Sequence, residues 1–186
     1  MLYLETPRLC LRNLRPEDAD AMYDYRNHPL CARYQRGQIQ DRAGIAQLIE
    51  RRKADILSTE RPFMAAIAHR QTQELVGEIV AMPNDGTICL GYTISYRYHR
   101  RGYAFEALSA LIDTLHRMAP EREFLCFTDP ENTASMGLLE KLGYRNLGYL
   151  PAKNSQVFGK WTKTDTETEI ARLSRESGAG NRAAEP

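Results

Sequence analysis

The sequence lacks a closely spaced pair of cysteines. Its four cysteines, Cys10, Cys31, Cys89 and Cys126, are distributed over more than half of the chain. A zinc site or a dithiol redox motif requires at least one close pair, such as C-x-x-C. The spacing excludes both kinds of site and favours thiols that stay reduced in the core of a cytoplasmic protein.

Long apolar runs and an excess of one charge are also missing. No segment approaches the roughly 18 apolar residues of a membrane-spanning helix, and Glu5 and Arg8 interrupt the start, where a secretion signal has its apolar region. The 25 basic and 24 acidic residues leave a net charge of +1, whereas nucleic-acid binders usually carry a strongly basic surface. We therefore expect a cytoplasmic protein with neither a membrane nor a nucleic-acid partner.

The composition that is present suits one globular domain. The chain has 186 residues, of which 42% are hydrophobic and 26% charged, and this length can bury a sizeable core. The apolar patterning predicts an α+β protein whose helices cover a mixed sheet. The predicted elements are a strand over 3–14, helices over 15–27 and 41–57, strands over 62–69, 74–82 and 87–96, a helix over 102–118, a strand over 123–129, a helix over 132–143, and strands over 145–150 and 155–161. In the first strand, polar Arg8 and Arg12 alternate with apolar Leu9 and Leu11, which predicts one solvent-facing side. We assign 1–161 to the folded domain and 162–186 to a polar C-terminal tail that is partly disordered, with a short helix over 167–175 as an option.

The first candidate site is the stretch "ISYRYHRRGYAFEAL", residues 94–108. It lies where a predicted strand ends and a helix begins. Its backbone N–H groups therefore have no helical partners and lie at the positive end of the helix dipole. Gly102 permits close approach to the main chain, and Arg100 and Arg101 add charge. These features favour a phosphate site. A solvated basic turn explains the same residues equally well, because runs of arginine usually face water. The stretch is not a dinucleotide-binding motif, since it has one glycine and lacks the spacing G-x-G-x-x-G.

The second candidate site is the stretch "DPENTASMGLLEKLGY", residues 129–144. Asn132 and Ser135 fall at the predicted start of a helix, close to the end of the preceding strand. Their side chains offer hydrogen-bond donors and acceptors. Taken singly, both residues are better explained as helix caps.

Together, in this order, the two stretches resemble the GNAT superfamily of N-acetyltransferases. The opening "LETPRLCLRNLRPEDADAMYDYRNHP" belongs to the same resemblance, which covers roughly residues 2–161 and is closest to the RimJ/RimL-like branch of ribosomal-protein N-terminal acetyltransferases. The resemblance implies the GNAT fold, a mostly antiparallel twisted sheet with one splayed pair of parallel strands and helices on both faces.

The resemblance also implies acetyl-CoA as the cofactor and no metal. The pantetheine arm would enter between the strand that ends near Tyr96 and the strand over 123–129, and the pyrophosphate would lie on residues 99–104. The implied cofactor-binding residues are Ile94, Tyr96, His99, Arg100, Arg101, Gly102, Tyr103, Ala104, Asn132 and Ser135. Two of them depart from the family pattern: His99 replaces Gln or Arg, and Arg100 stands where glycine is common.

The catalytic residues are less clearly marked. Many relatives carry a tyrosine acid at the position of Leu139, whereas Ser135 matches the serine proposed for this role in the ribosomal-protein branch, where a hydroxyl stabilises the leaving thiolate. Glu78 is our candidate for the general base, with a solvent-facing strand carboxylate as an equal alternative. Cys89 occupies the position at which relatives often carry an acidic residue.

We therefore predict direct transfer of an acetyl group to a primary amine in a ternary complex. The acceptor would be a protein N-terminus or a small molecule, and the protein would be a monomer or a homodimer. The competing hypothesis is a non-catalytic acyl-CoA-binding sensor or structural protein that retains the fold. Four tyrosines are assigned either to the wall of the acceptor site or to the half-buried core; they are Tyr23, Tyr25, Tyr34 and Tyr92.

Overall fold

The computed structural model describes residues 1–179, with side chains as far as residue 175. Its strands are β1 (Leu2–Glu5), β2 (Leu9–Arg12), β3 (Phe63–His69), β4 (Leu75–Asn84), β5 (Thr87–Ile94), β6 (Glu123–Thr128), β7 (Arg145–Leu150) and β8 (Ser155–Lys160). They form one eight-stranded sheet in the order β1-β2-β3-β4-β5-β6-β8-β7. Neighbouring strands are antiparallel except for β5 and β6, which are parallel. The mixed sheet confirms the predicted fold class.

Helices cover both faces of this sheet. They are α1 (Ala19–Asn27), α2 (Pro29–Ala32), α3 (Arg42–Arg52), α4 (Tyr103–Met118), α5 (Thr133–Lys141) and α6 (Thr164–Ala179). Successive residues of a strand point to opposite faces, and β3 uses both: Phe63 and Ile67 pack with α4 and α5, whereas Met64 and Ala66 pack with α1 and α3. Two apolar cores therefore enclose the central strands, as the family resemblance implies.

The parallel strands β5 and β6 pair over only part of their length. Cys89 and Leu125 are the last residues joined across them. Beyond this point β5 continues along β4 to Ile94, while β6 continues along β8 to Thr128. The two strands consequently open towards their carboxyl ends, and we call this opening the wedge. The splay expected of this strand pair is thus present.

The prediction of a single N-terminal strand with a wet face is wrong. Residues 2–12 form the antiparallel hairpin of β1 and β2, in which every residue of β2 is buried. Arg12, expected to face solvent, makes two hydrogen bonds with the buried carboxylate of Asp18, at 2.8 and 2.9 Å. Alternation of residue types cannot show this, because the partner lies in the following helical turn.

The second predicted helix is shorter than the apolar spacing suggests. It begins after Asp41, whose carboxylate accepts the Gly44 N–H at 2.7 Å, and ends at Arg52 rather than residue 57. Asp55 has other partners: its carbonyl accepts the Tyr3 hydroxyl at 2.7 Å and its carboxylate accepts the Met64 N–H at 2.8 Å. These tertiary hydrogen bonds hold the chain outside the helix.

The C-terminal helix α6 is longer than the option over 167–175 and packs against the sheet. Ile170 is buried beneath it. The buried Glu123 carboxylate accepts the Lys163 N–H at 2.8 Å and the Thr166 hydroxyl at 3.0 Å, which fixes the start of the helix. Residues 180–186, part of the expected mobile tail, lie outside the described residues. In the described part of the chain, no helix combines the length and apolar character needed to cross a membrane.

Candidate active site

Residues 99–104 connect the end of β5 to the start of α4, and we call this turn the cradle. Two of its residues adopt the left-handed backbone conformation, Arg100 with φ 59° and Gly102 with φ 77°. Glycine tolerates this conformation, whereas a residue with a side chain loses about 1–2 kcal/mol in it. A glycine, which the family pattern has at the position of Arg100, would adopt this backbone path without strain, and this chain adopts it with an arginine.

The cradle presents a row of backbone donors. Within residues 1–179, the N–H groups from Arg100 to Phe105 meet no protein acceptor, and the first helical bond of α4 joins the Glu106 N–H to the Gly102 carbonyl at 3.0 Å. Unsatisfied donors at the positive end of a helix dipole are the arrangement that phosphate oxygens require. The residues present thus fit a pyrophosphate group.

Arg8 braces the cradle from the turn between β1 and β2. Its Nε donates to Glu106 at 2.6 Å, its Nη1 donates to the Arg101 carbonyl at 3.0 Å, and its guanidinium lies 4.6 Å from the centre of the Tyr103 ring. Burial alone would raise the pKa of Glu106, but hydrogen bonds from Thr6 and Arg8 and the Arg8 charge lower it below its usual value. The ionised Glu106 is therefore compensated and does not oppose an anion at the helix start.

The strand before the cradle ends earlier than the sequence suggests. β5 stops at Ile94, and Tyr96 begins a short 3-10 turn in which its ring stacks on His28 at 3.7 Å. The His99 ring nitrogen Nε2 lies 2.9 Å from the Ile94 carbonyl, and Cys31 Sγ lies 3.3 Å from the same oxygen. Because a carbonyl only accepts, the His99 proton is on Nε2. His99 thus ties the cradle back to the strand that it leaves.

The start of α5 supplies the second half of the site. The Asn132 side chain caps the helix by accepting the Ser135 N–H at 3.1 Å, as predicted. No acceptor within residues 1–179 meets the two N–H donors of the Asn132 amide. The Ser135 hydroxyl lies 2.7 Å from the hydroxyl of Tyr92 on β5. Burial raises the pKa of Tyr92, so this phenol stays protonated.

Glu78 lies in a buried polar cluster. Only 2% of the residue is exposed, so the alternative of a solvent-facing strand carboxylate is wrong. It accepts hydrogen bonds of 2.6 Å from the Tyr25 hydroxyl, 2.6 Å from the Arg26 guanidinium and 3.1 Å from the Gln38 amide. Burial raises the pKa of Glu78, and these donors offset part of that rise. Gln38 also reaches the hydroxyl of Thr93 at 3.1 Å, which links the cluster to β5.

Residues 33–41, between α2 and α3, cross the mouth of the wedge, and we call them the strap. Gln35 donates to the Thr93 hydroxyl on β5 at 3.0 Å. The next residue, Arg36, reaches the other side: it binds the Asp129 carboxylate, just after β6, at 2.7 Å, and the carbonyls of Lys153 and Asn154. The strap therefore joins the two diverging strands over their open ends.

The two predicted catalytic residues lie on opposite faces of the sheet. Ser135 belongs to the α4–α5 face, where it contacts Tyr92, and Glu78 belongs to the α1–α3 face, where Gln38 connects it to Thr93. Tyr92 and Thr93 are neighbours on β5 and point to opposite faces. Because this part of β5 borders the wedge, a ligand in the wedge can be approached from either side.

Residues 8–145 match the family model of the acetyltransferase (GNAT) domain. The chain belongs to this family. The matched range contains the cradle, Asn132 and Ser135, so the predicted family is confirmed and the protein is an acyltransferase of the GNAT class.

Relatives of this GNAT protein agree with the assignment. It is 26% identical over 154 residues to an uncharacterised N-acetyltransferase, p20, of Bacillus licheniformis, covering 79% of this chain and 84% of that one. A GNAT-family acetyltransferase of Bacillus anthracis superimposes with a TM-score of 0.72 at 21% identity, covering 86% and 96% of the two chains. RimL, a ribosomal L7/L12 α-N-protein acetyltransferase in complex with coenzyme A, gives a TM-score of 0.72 at 13% identity over 86% and 97%.

Sequence reasoning located the cradle and the start of α5 but missed three contributors. Arg8 lies 98 residues from Glu106, Tyr92 lies 43 residues from Ser135, and Arg36 lies 93 residues from Asp129. No local pattern marks these contacts. Only Tyr92 was predicted to lie either near the acceptor site or in the half-buried core, and the sequence does not indicate that Ser135 is its partner.

Proposed function

We propose that this protein is an N-acetyltransferase that transfers the acetyl group of acetyl-CoA directly to a primary amine within a ternary complex. The observation that carries this proposal is the wedge, with the donor-rich cradle at the end of β5 and the side chains of Asn132 and Ser135 at the start of α5. Membership of the GNAT family and the coenzyme A bound by the similar RimL fold support it.

Each part of the wedge would hold a different part of the cofactor. The N–H groups of the cradle, together with the nearby charges of Arg100 and Arg101, would hold the pyrophosphate. The free amide N–H groups of Asn132 would meet a carbonyl of the pantetheine arm. The Ile94 carbonyl already accepts from His99, so pairing of the arm with this strand end requires that contact to be shared or replaced.

Acetyl-CoA supplies an acyl group that is activated as a thioester. The Ser135 hydroxyl would donate a hydrogen bond to the sulfur as negative charge develops on it, which stabilises the departing thiolate. The amine attacks directly, so none of the cysteines carries the acyl group. Glu78 stays our candidate for the base. It would take the proton of the amine directly or through water, in place of one of the donors that now occupy its two oxygens.

We place the acceptor on the α1–α3 face, beneath the strap. Glu78 and Thr93 belong to this face, and the leaving thiolate would meet Ser135 from the opposite one, so attack and departure are separated. The acceptor class is a protein N-terminal amine or a small-molecule amine. RimL, which shares the fold, acts on a ribosomal protein, and this favours testing protein N-termini first.

The test is release of free thiol from acetyl-CoA with a panel of amines. The panel contains peptides with free N-terminal Ala, Ser or Met, the same peptides with blocked N-termini, and small-molecule amines. We expect release that depends on a free amine and is absent with the blocked peptides. Ser135→Ala should lower kcat by about a hundredfold while affinity for CoA changes little.

The saturation of Glu78 by Tyr25, Arg26 and Gln38 favours one competing candidate, a non-catalytic acyl-CoA-binding protein. The same experiment separates the two hypotheses. Tight binding of CoA in calorimetry, without thiol release for any amine, would contradict the proposed transferase and support the binding protein.

A further inference from the structure

The contact between Tyr92 and Ser135 is the one polar link that the structure records between the open part of β5 and the start of α5. The hydroxyl oxygens are 2.7 Å apart, a normal length for an O–H···O hydrogen bond. Tyr92 is packed against the α4–α5 core, so its ring is fixed by apolar neighbours. The Ser135 backbone is fixed independently, because its N–H is bound by Asn132.

Chemistry decides which hydroxyl donates. A phenol is several orders of magnitude more acidic than the alcohol of serine and is therefore the better donor. With Tyr92 donating, the single hydroxyl proton of Ser135 is directed away from Tyr92. Within residues 1–179, no other protein group accepts that proton, so it is available to a ligand in the wedge.

We propose that Tyr92 is a positioning residue that donates to the Ser135 oxygen and so holds the Ser135 proton towards the leaving sulfur. The inference rests on the proposed acetyl transfer. In that reaction the bond from the amine nitrogen to the carbonyl carbon forms, the C–S bond breaks, and the electron pair stays on sulfur. Ser135 and Tyr92 keep their own protons, and the proton that the amine loses balances the one that the thiolate finally gains.

A hydrogen bond received by Ser135 strengthens the one that Ser135 gives, since chains of hydrogen bonds polarise one another. Tyr92 thereby has two effects: it fixes the rotation of the serine hydroxyl and makes that hydroxyl a stronger donor. Burial raises the pKa of Tyr92, so the phenol remains a donor throughout the neutral and mildly alkaline range. The position at which many relatives carry a tyrosine acid is here the buried Leu139.

The test combines Tyr92→Phe, Ser135→Ala and the double variant in steady-state kinetics with the best amine of the panel. Tyr92→Phe keeps the ring and removes only the hydroxyl. We expect kcat to fall roughly three- to tenfold, the range of one neutral hydrogen bond, with KM for acetyl-CoA unchanged. In the Ser135→Ala background, Tyr92→Phe should change kcat by less than about twofold, because the serine hydroxyl through which Tyr92 acts on the sulfur is absent.

Tyr3→Phe is the matched control, since it removes a part-buried hydroxyl that donates to the Asp55 carbonyl far from the wedge. It should leave kcat unchanged. If the wild type releases thiol and Tyr92→Phe releases it at the same rate, this inference is overturned while the proposed function stands. An equal loss in both backgrounds, or a change confined to KM for acetyl-CoA, would also overturn it, because either result indicates a structural role. A wild type without turnover would instead refute the proposed function.

Discussion

At the scale of single residues, the site depends on backbone conformation as much as on side-chain chemistry. Arg100 and Gly102 both hold φ in the left-handed region, and the cradle N–H groups have no acceptor among the described residues. The residue type alone therefore predicts the backbone conformation of the cradle poorly. Arg100 departs from the family pattern, yet its backbone is left-handed and its N–H has no acceptor among the described residues.

Gly102→Glu should reduce the affinity for CoA by about a hundredfold or more, because a carboxylate would face the phosphates and a Cβ would stand 3.4 Å from Arg8 Nη2. Isothermal calorimetry measures the affinity. Gly86→Glu is the control, since Gly86 is also left-handed, with φ 67°, but lies in the β4–β5 turn with nothing near its Cβ position. Equal CoA affinity in the two variants would show that the cradle does not bind the phosphates.

Glu78→Gln should lower the free energy of unfolding by about 3 kcal/mol, since it leaves the buried Arg26 guanidinium without its counter-charge. Urea denaturation gives the value. The control is Glu17→Gln at an exposed carboxylate, which should change stability by less than about 0.5 kcal/mol. A loss below about 1 kcal/mol at Glu78 would mean that the pair is not held as a buried ion pair.

At the scale of elements, the strap is the part that connects otherwise separate strands. Gln35 joins the strap to β5, and Arg36 joins it to Asp129 just after β6. Gly37, the next residue of the strap, is left-handed with nothing within 4 Å of its Cβ position. Roughly half of the Arg36 side chain is exposed, and exposed ion pairs stabilise only weakly. The part of the strap around Arg36 is therefore held only weakly, whereas Ile39 packs against the α1–α3 core and its carbonyl accepts from Arg26 at 2.8 Å.

Arg36→Ala should make the backbone amides of residues 33–41 exchange several-fold faster, because it removes the bonds to Asp129, Lys153 and Asn154 together. Hydrogen exchange followed by mass spectrometry measures this. The control is Arg42→Ala, which removes an exposed ion pair between Arg42 on α3 and Asp20 on α1. In this variant, exchange in the strap should stay as in the wild type. Unchanged exchange in Arg36→Ala would show that Arg36 does not fasten the strap.

At the scale of the whole molecule, residues predicted as a tail form the helix α6, which packs against the sheet. Glu123 begins β6, yet both of its recorded donors, Lys163 and Thr166, come from the start of α6. The division into a domain over 1–161 and a tail over 162–186 stays a prediction. The contacts of Glu123 and Ile170 suggest where to test it.

A chain that ends at Trp161 should have a Tm lower by about 5 °C or more, because Glu123 would be buried without these donors and the apolar surface beneath Ile170 would be exposed. Calorimetry on the full and shortened chains gives the difference. Thr168→Ser, at an exposed site on α6, serves as the control for changes within the helix. An unchanged Tm in the shortened chain would support the domain boundary as predicted.

What the sequence made predictable was local. The period of α4 and the Asn132 cap each depend on a few adjacent residues, so their letters predict them. The ion pair of Arg12, the end of α3 and the Tyr92–Ser135 contact depend on partners elsewhere in the fold. Such contacts form only after the sheet has brought distant segments together, and no spacing of residues in the chain predicts them.

The parallel pairing of β5 with β6 has a consequence for biosynthesis. The strands β3, β4 and β5 meet as neighbours along the chain, whereas β6 joins only after the whole of α4 has crossed over. During synthesis the residues of the cradle are therefore made before Asn132 and Ser135, while β5 still lacks its neighbour β6. Because a domain folds as a unit, the phosphate-binding half and the thiol-facing half become one site only once the ribosome has delivered β6 and α5.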